Sequence, residues 1–187
     1  STGEDTESGN YVFRCGSDSV WVSTGIEDGK WYISDPGFQN IRTDDNIKGN
    51  VLGVVGNKIC YMEQDGDTWT TFGYDVKTGQ RVILEKENTA RSIVSGSGLY
   101  YKKVADGNTI LYRRNMKDGS IENYDLGSFN LYMGGGCSEV GDSTYFIRFQ
   151  PEQGERNTEL WKLDRTTGEK EQIASWYNEN AEKAAKD

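Results

Sequence analysis

The sequence predicts an all-β fold made of repeated hairpin pairs, and two columns of large side chains together with a recurring tight turn predict it. Tyr32, Phe72, Tyr112 and Trp161 follow one another at 40, 40 and 49 residues, each three residues before Asp35, Asp75, Asn115 or Asp164. Val22, Tyr61, Tyr101 and Phe146 follow at 39, 40 and 45. Two columns in phase at a period of about 40 residues point to radial β-repeats, since sheets of that size cannot bury both faces alone and must stack on one another. The expected architecture is a β-propeller-like array of four four-stranded antiparallel blades, followed by a short C-terminal helix.

The elements fall in order along the chain. Residues 1–9 read as a solvated linker, rich in Ser, Thr, Gly and acidic residues. The four repeats span about 10–43, 49–87, 90–126 and 135–174. Each opens with a short first strand such as Val51-Leu52-Gly53-Val54-Val55, then a Gly-led turn and a second strand of β-branched and aromatic residues, for example Leu99-Tyr100-Tyr101. Asp28-Gly29, Asp65-Gly66 and Asp106-Gly107 mark the next hairpin turn, where Gly takes positive φ without steric cost. The third strand carries the first aromatic column. The turn after it, Asp75-Val76-Lys77-Thr78-Gly79, Asn115-Met116-Lys117-Asp118-Gly119 and Asp164-Arg165-Thr166-Thr167-Gly168, aligns without gaps. Its Asx side chain is suited to accept backbone N–H groups two or three residues on, and its Gly to close the turn. Repeat one departs from this pattern with Asp35-Pro36-Gly37. Trp176, Ala181, Ala184 and Ala185 within residues 175–187 predict the terminal helix, packed by Trp176.

Composition fits this reading. Hydrophobic residues make up 34% and aromatics 12%, so the core relies on few, large side chains. The 23 glycines against 2 prolines suit a chain of many tight hairpins. A net charge of −9 repels phosphate backbones and anionic membranes, which argues against nucleic-acid partners. No apolar run approaches the length of a membrane span, and no signal-peptide pattern is present. Cys15, Cys60 and Cys137 are odd in number and lack metal-like spacing. They read as small buried hydrophobes, with a Cys15–Cys137 bridge between the first and last repeats as the alternative.

The third repeat, with Gly98-Leu99-Tyr100-Tyr101, Leu111-Tyr112-Arg113-Arg114-Asn115 and Lys117-Asp118-Gly119-Ser120, resembles a blade of the receptor-like β-propeller repeats of Gram-positive surface proteins. Those repeats are similar in pattern to the propellers of low-density-lipoprotein-receptor-related proteins. The resemblance covers most of residues 10–174 and is strongest in repeats two to four. It implies an extracellular or cell-surface setting, exported and anchored upstream, with function usually unassigned. The Asp-x-x-Thr-Gly turns at Asp75 and Asp164 also resemble quinoprotein-type repeats, but the Trp expected after such a turn is absent.

Chemistry is constrained by the complete absence of histidine, which removes Ser-His-Asp and Cys-His arrangements and imidazole metal ligands. Gly134-Gly135-Gly136 lacks a following Lys-Ser/Thr and opens a strand, so it is not a nucleotide loop. Asp44-Asp45-Asn46 and Asp65-Gly66-Asp67 cluster oxygen atoms without the spacing of a calcium loop, so no metal and no cofactor is expected. Gln64-Asp65-Gly66-Asp67-Thr68-Trp69 echoes a sialidase-type Asp box only at its Gly-x-Thr-Trp end. The expected function is therefore a non-catalytic extracellular module binding a protein or glycan through loops on one rim. The alternatives are a propeller-type carbohydrate-active enzyme using paired carboxylates, and a structural or sensor ectodomain. Self-association is expected if the ring of blades is open. The rim residues singled out are Trp69, Asp65, Asp67, Asp28, Arg42, Asp44, Asp45 and Arg91, where an aromatic beside carboxylates would stack on a sugar or clasp a peptide.

Overall fold

A computed structural model of the chain describes residues 12–15, 20–24, 31–34, 39–43, 50–129, 131–133, 136–150 and 157–177. The described residues contain strands and turns and no α-helix. Strands β1 (Val12–Cys15), β2 (Val20–Thr24), β3 (Trp31–Ser34) and β4 (Ile41–Thr43) form one sheet in chain order. The same simple order holds for β5 (Asn50–Val55), β6 (Lys58–Asp65), β7 (Thr68–Asp75) and β8 (Arg81–Asn88). It holds again for β9 (Ile93–Ser95), β10 (Gly98–Ala105), β11 (Asn108–Asn115) and β12 (Ile121–Asp125), and for β13 (Cys137–Val140), β14 (Ser143–Gln150), β15 (Asn157–Asp164) and β16 (Lys170–Tyr177). The chain divides into two compact units, residues 1–86 and 87–187.

Two sequence expectations change here. Strand β16 runs on to Tyr177, and Trp176 pairs with Thr158, so the helix expected from residue 175 does not begin there. Cross-strand pairing with β15 outweighs the alanine-rich helical pattern, and Trp176 is 45% exposed rather than packed. Residues 178–187, the 1–9 linker and the Asp35-Pro36-Gly37 turn lie outside the described residues. The second change is in repeat one. Val22 pairs with Ile33, whereas Tyr61 pairs with Phe72, Tyr101 with Tyr112 and Phe146 with Trp161. The column is therefore continued by Ile33, not by Tyr32, which pairs with Ser23. A shift of one residue reverses the face of a strand, and Ile33 is the one that is buried.

The Asx turns form as expected. Asp75 Oδ1 accepts the N–H groups of Lys77 at 2.9 Å and Thr78 at 3.1 Å, while Gly79 N–H donates to the Asp75 carbonyl at 2.8 Å. Asp164 repeats this with Thr166, Thr167 and Gly168, and Asn115 with Lys117 and Gly119. Gly79, Gly119 and Gly168 all have φ between +70° and +79°, the region closed to most side chains. The residue after each Asx then ties this turn to the first hairpin of its sheet. Val76, Met116 and Arg165 donate their N–H groups to the carbonyls of Asn57, Ser97 and Asp142.

In the N-terminal unit Ile33, Ile59, Tyr61, Phe72, Tyr74 and Val76 form one buried cluster, joined by Val51 and Val54. Tyr61 stacks on Phe72 with centroids 5.3 Å apart, and the Arg81 guanidinium covers the Phe72 ring at 4.3 Å. Such aromatic pairs add about 0.5–1.5 kcal/mol beyond their burial.

In the C-terminal unit one face of the β9–β12 sheet packs on one face of the β13–β16 sheet. Tyr100, Leu111 and Tyr124 meet Phe146 and Leu163, with Phe129, Leu131 and Met133 of the connection between the sheets filling the gap. Phe129 stands edge-on to Phe146 at 5.7 Å and to Trp161 at 5.1 Å.

A polar clasp closes the same interface. Arg113 of β11 grips Glu139 of β13 through two bonds, Nε to Oε2 at 2.9 Å and Nη2 to Oε1 at 3.0 Å. Tyr100 donates its hydroxyl to Oε2 at 2.7 Å, and Ser97 donates to Oε1 at 3.4 Å. Arg165 lies 3.8 Å from Oε1 and donates to Thr144 Oγ1 and the Ser143 carbonyl. Burial opposes ionisation of Glu139, but the hydrogen bonds from Arg113 and Tyr100 and the charges of Arg113 and Arg165 bring its pKa down to about 2. Tyr100 is pushed well above its usual range, by burial first. The clasp passes directly over Gly98, where an added Cβ would lie 2.8 Å from Glu139 Oε2 and 2.8 Å from Tyr100 Cε2.

Two outcomes follow from the clasp. A native pKa near 2 against an ordinary 4.5 means that Glu139 stabilises the fold above about pH 4.5 and loses that contribution as pH falls towards 2. Glu139→Gln removes the carboxylate that buried Arg113 forks and leaves it only the partly exposed Glu122 at 3.3 Å, so it should cost about 3–5 kcal/mol at pH 7. In urea titrations across pH 2–7, the gap between wild type and variant should narrow steadily below pH 4.5; a constant gap would contradict the clasp. Gly98→Ala should cost about 1–3 kcal/mol through overpacking, read by the same titration at pH 7.

Candidate functional site

The residues singled out from sequence fall in turns, strands and connections of the two units, which are taken in turn. In the N-terminal unit Asp65 pairs with Thr68 and Gln64 with Trp69, so Gly66-Asp67 is a two-residue hairpin loop. Sequence places Gly second in this turn, but the structure makes it the first loop residue, with φ 58°. Two side chains pin the loop: Gln64 Nε2 donates to the Gly66 carbonyl at 3.0 Å, and Thr68 Oγ1 donates to the Asp65 carbonyl at 3.1 Å. The Asp65 and Asp67 side chains are exposed, and no hydrogen bond or ion pair among the described residues uses either carboxylate.

Trp69 does not join these carboxylates. It is half-buried and shares a pair with Gln64, the pair next to Asp65–Thr68. Adjacent pairs face opposite sides of a pleated sheet, so Trp69 and Asp65 lie on opposite faces of the hairpin. Arg42 sits in β4 opposite Ile33, and Arg91 is exposed in the β8–β9 connection of the C-terminal unit. Asp28, Asp44 and Asp45 lie outside the described residues.

In the C-terminal unit the β10–β11 loop is Asp106-Gly107, with φ of 51° and 80°. Both positive angles match the right-handed twist of a hairpin, and Asp tolerates the left-handed region better than most residues. Beside it the β12–β13 connection is held down strand by strand. Thr109 donates its hydroxyl to the Phe129 carbonyl at 2.6 Å, and Lys170 Nζ donates to the Leu126 carbonyl at 2.8 Å. Glu159 accepts Trp161 Nε1 at 2.7 Å and Arg148 Nη1 at 3.4 Å, while the Arg148 guanidinium lies 4.5 Å over Phe129.

Lys102 is the group that sequence reasoning missed. Its Nζ donates to the Leu131 carbonyl at 2.6 Å, and burial lowers its pKa from the ordinary lysine value. No carboxylate pairs with it among the described residues. A lysine after two tyrosines in a strand reads as solvent-facing; the signal that contradicts this is its alternation onto the same face as Tyr100.

Neither Cys60 nor Cys137 takes part in a disulfide, so the Cys15–Cys137 bridge does not form. Burial, then the charge of Glu139, pushes the Cys137 thiol up to about 12.

No family model matches the sequence, and no curated protein matches it. Solved structures of β-propeller proteins do match the fold. TolB from Acinetobacter baumannii superposes with a TM-score of 0.55 at 14% identity, over 83% of this chain and 40% of that one. The β-propeller domain of the Trilobed protease from Pyrococcus furiosus, described as having an open velcro topology, gives 0.56 at 14% identity, over 88% and 57%. A chain of the nidogen/laminin complex gives 0.50 at 8% identity, over 87% and 60%. This chain thus spans between 40% and 60% of the length of these proteins. The succession of four-stranded antiparallel meanders and this likeness agree on one conclusion, that the chain has the fold of β-propeller repeats.

Proposed function

We propose that the chain is a non-catalytic binding module, four blades of a propeller whose loop rim receives a protein partner, working at the cell surface of the organism that exports it. The observation that carries this reading is the pinned β6–β7 turn. Gln64 and Thr68 fix its backbone, so Asp65 and Asp67 project from a preorganised tip and are not consumed by the fold. The contrast with other carboxylates is informative: Glu139, Asp75 and Asp164 are all held below their usual range by bonds that build the sheets and turns. A glycosidase would need a carboxyl raised enough to act as general acid, and these are displaced the other way.

A protein partner is favoured over a glycan because Trp69, the aromatic available to stack on a sugar, faces away from the Asp65 side of the hairpin. Two exposed carboxylates instead suit a Lys or Arg side chain, and a charge-assisted hydrogen bond is worth about 1.5–3 kcal/mol. A propeller of similar fold, that of the nidogen/laminin complex, is known in a protein assembly.

The test uses an array of Lys- and Arg-containing peptides beside a printed glycan array, each probed with wild type and with Asp65→Asn/Asp67→Asn. Peptide binding should fall at least about tenfold in the variant, since one lost charge-assisted bond exceeds 1.4 kcal/mol. The thermal unfolding midpoint should stay unchanged. Equal peptide signals from both proteins, or a carboxylate-dependent signal on glycans alone, would overturn the protein-partner reading.

A further inference from the structure

Four Asp-Gly pairs occur in the sequence, at Asp28, Asp65, Asp106 and Asp118, and the last three lie among the described residues. In such a pair the glycine nitrogen can attack the aspartate side chain, because no Cβ on the glycine hinders its approach. The nitrogen must first turn towards the carboxyl carbon, so the peptide between the two residues has to rotate. A hydrogen bond that holds this peptide or the carboxylate slows the reaction. The three pairs differ in what holds them.

Asp118-Gly119 is held at every point. The N–H of Gly119, the attacking group, donates to the Asn115 carbonyl at 2.8 Å. The Asp118 carboxylate accepts Ser120 N–H at 2.9 Å, Ser120 Oγ at 2.6 Å and Asn115 Nδ2 at 3.4 Å. Asp65-Gly66 is held through its carbonyls: that of Asp65 accepts Thr68 Oγ1 at 3.1 Å, and that of Gly66 accepts Gln64 Nε2 at 3.0 Å. Asp106-Gly107 is held nowhere. The ladder ends at the Ala105–Asn108 pair, which leaves both residues in the loop, and both are exposed. Neither the carboxylate and carbonyl of Asp106 nor the N–H of Gly107 makes a hydrogen bond among the described residues. Asp106 is also the one non-glycine residue with positive φ there, at 51°, a region unfavourable to L-residues, so local preference does not oppose rotation out of it.

We infer that Asp106-Gly107 is a site of spontaneous backbone isomerisation, in which Asp106 closes on Gly107 to a succinimide and reopens as isoaspartate. The Gly107 nitrogen forms a bond to Asp106 Cγ, while its proton and a hydroxyl of the carboxyl group leave as water. Water then adds to one of the two ring carbonyls and the C–N bond there breaks. The ring opens either to Asp106 again or to a chain that runs through its Cβ and Cγ. Isoaspartate adds a methylene to the main chain, and a two-residue loop has no slack to absorb it. The change falls beside Thr109, which grips the β12–β13 connection three times. Its N–H donates to the Gly127 carbonyl at 2.8 Å, its carbonyl accepts Leu126 N–H at 2.9 Å, and its hydroxyl donates to the Phe129 carbonyl at 2.6 Å. An altered turn at Asp106 therefore loosens the end of that grip. This chemistry is independent of any partner at Asp65 and Asp67.

The full chain is incubated in neutral buffer enriched in oxygen-18, which enters once per ring opening. Each Asp-Gly pair is followed by peptide mapping with electron-transfer fragmentation, which separates isoaspartate from aspartate. In the folded chain Asp106 should isomerise at least about tenfold faster than Asp118, the ratio that one or two net hydrogen bonds set, with Asp65 between them. In urea the three rates should converge. Ser120→Ala should speed the reaction at Asp118 and leave that at Asp106 unchanged. Equal rates at Asp106 and Asp118 in the folded chain, a ranking that persists in urea, or an Asp118 rate untouched by Ser120→Ala would overturn the inference.

Discussion

One carboxylate organises the C-terminal unit. A buried Glu is costly unless its oxygens are fully hydrogen-bonded, and Glu139 meets that demand from three directions: the Arg113 fork, the Tyr100 hydroxyl and the Arg165 charge. These donors belong to different strands and to both sheets, so they are satisfied together only when the sheets sit in one register. The apolar contacts of Phe129, Phe146 and Leu163 supply most of the favourable free energy but little direction. The clasp supplies direction. It also explains the absence of a side chain at residue 98, since the carboxylate and the Tyr100 ring fill the space a Cβ would need.

From that register the rest of the unit follows. With the sheets held at their turn-bearing edge, the connection between β12 and β13 is left to fill the opposite end, where Thr109, Lys102 and Lys170 each donate to its carbonyls. Backbone that would otherwise bury unpaired oxygens is thereby satisfied by side chains. In this unit the cationic groups of Lys102 and Lys170 are spent holding the connection down; in the N-terminal unit the Asp65 and Asp67 carboxylates are exposed at a hairpin tip.

Much of this was legible in the residues. The Asx turns at Asp75, Asn115 and Asp164 form as their spacing demands, because a short polar side chain, its own backbone and a following glycine decide them locally. The strand succession was legible for the same reason, each hairpin being bounded by turn residues. Misreadings arose where a distant pairing overruled a local pattern. Tyr32 looks like the aromatic of its column, yet Ile33 takes the buried place because Val22 selects it across the hairpin. Alanines after Ser175 favour a helix, but β15 offers a longer ladder that carries the strand to Tyr177.

By itself, then, the sequence determined the repeat, the turn chemistry and the all-β class, since these rest on interactions within a few residues or on a period visible along the chain. Only the tertiary structure decided which charged groups are structural and which are free. Glu139 and Asp67 are equally plain acidic residues beside tight turns, and nothing local separates them. One is desolvated between two sheets and clasped by an arginine 26 residues away; the other stands in solvent. The same holds for Lys102 and for the split between Asp65 and Trp69. Burial and facing are properties of how strands pair and sheets stack, and they enter only when distant residues meet.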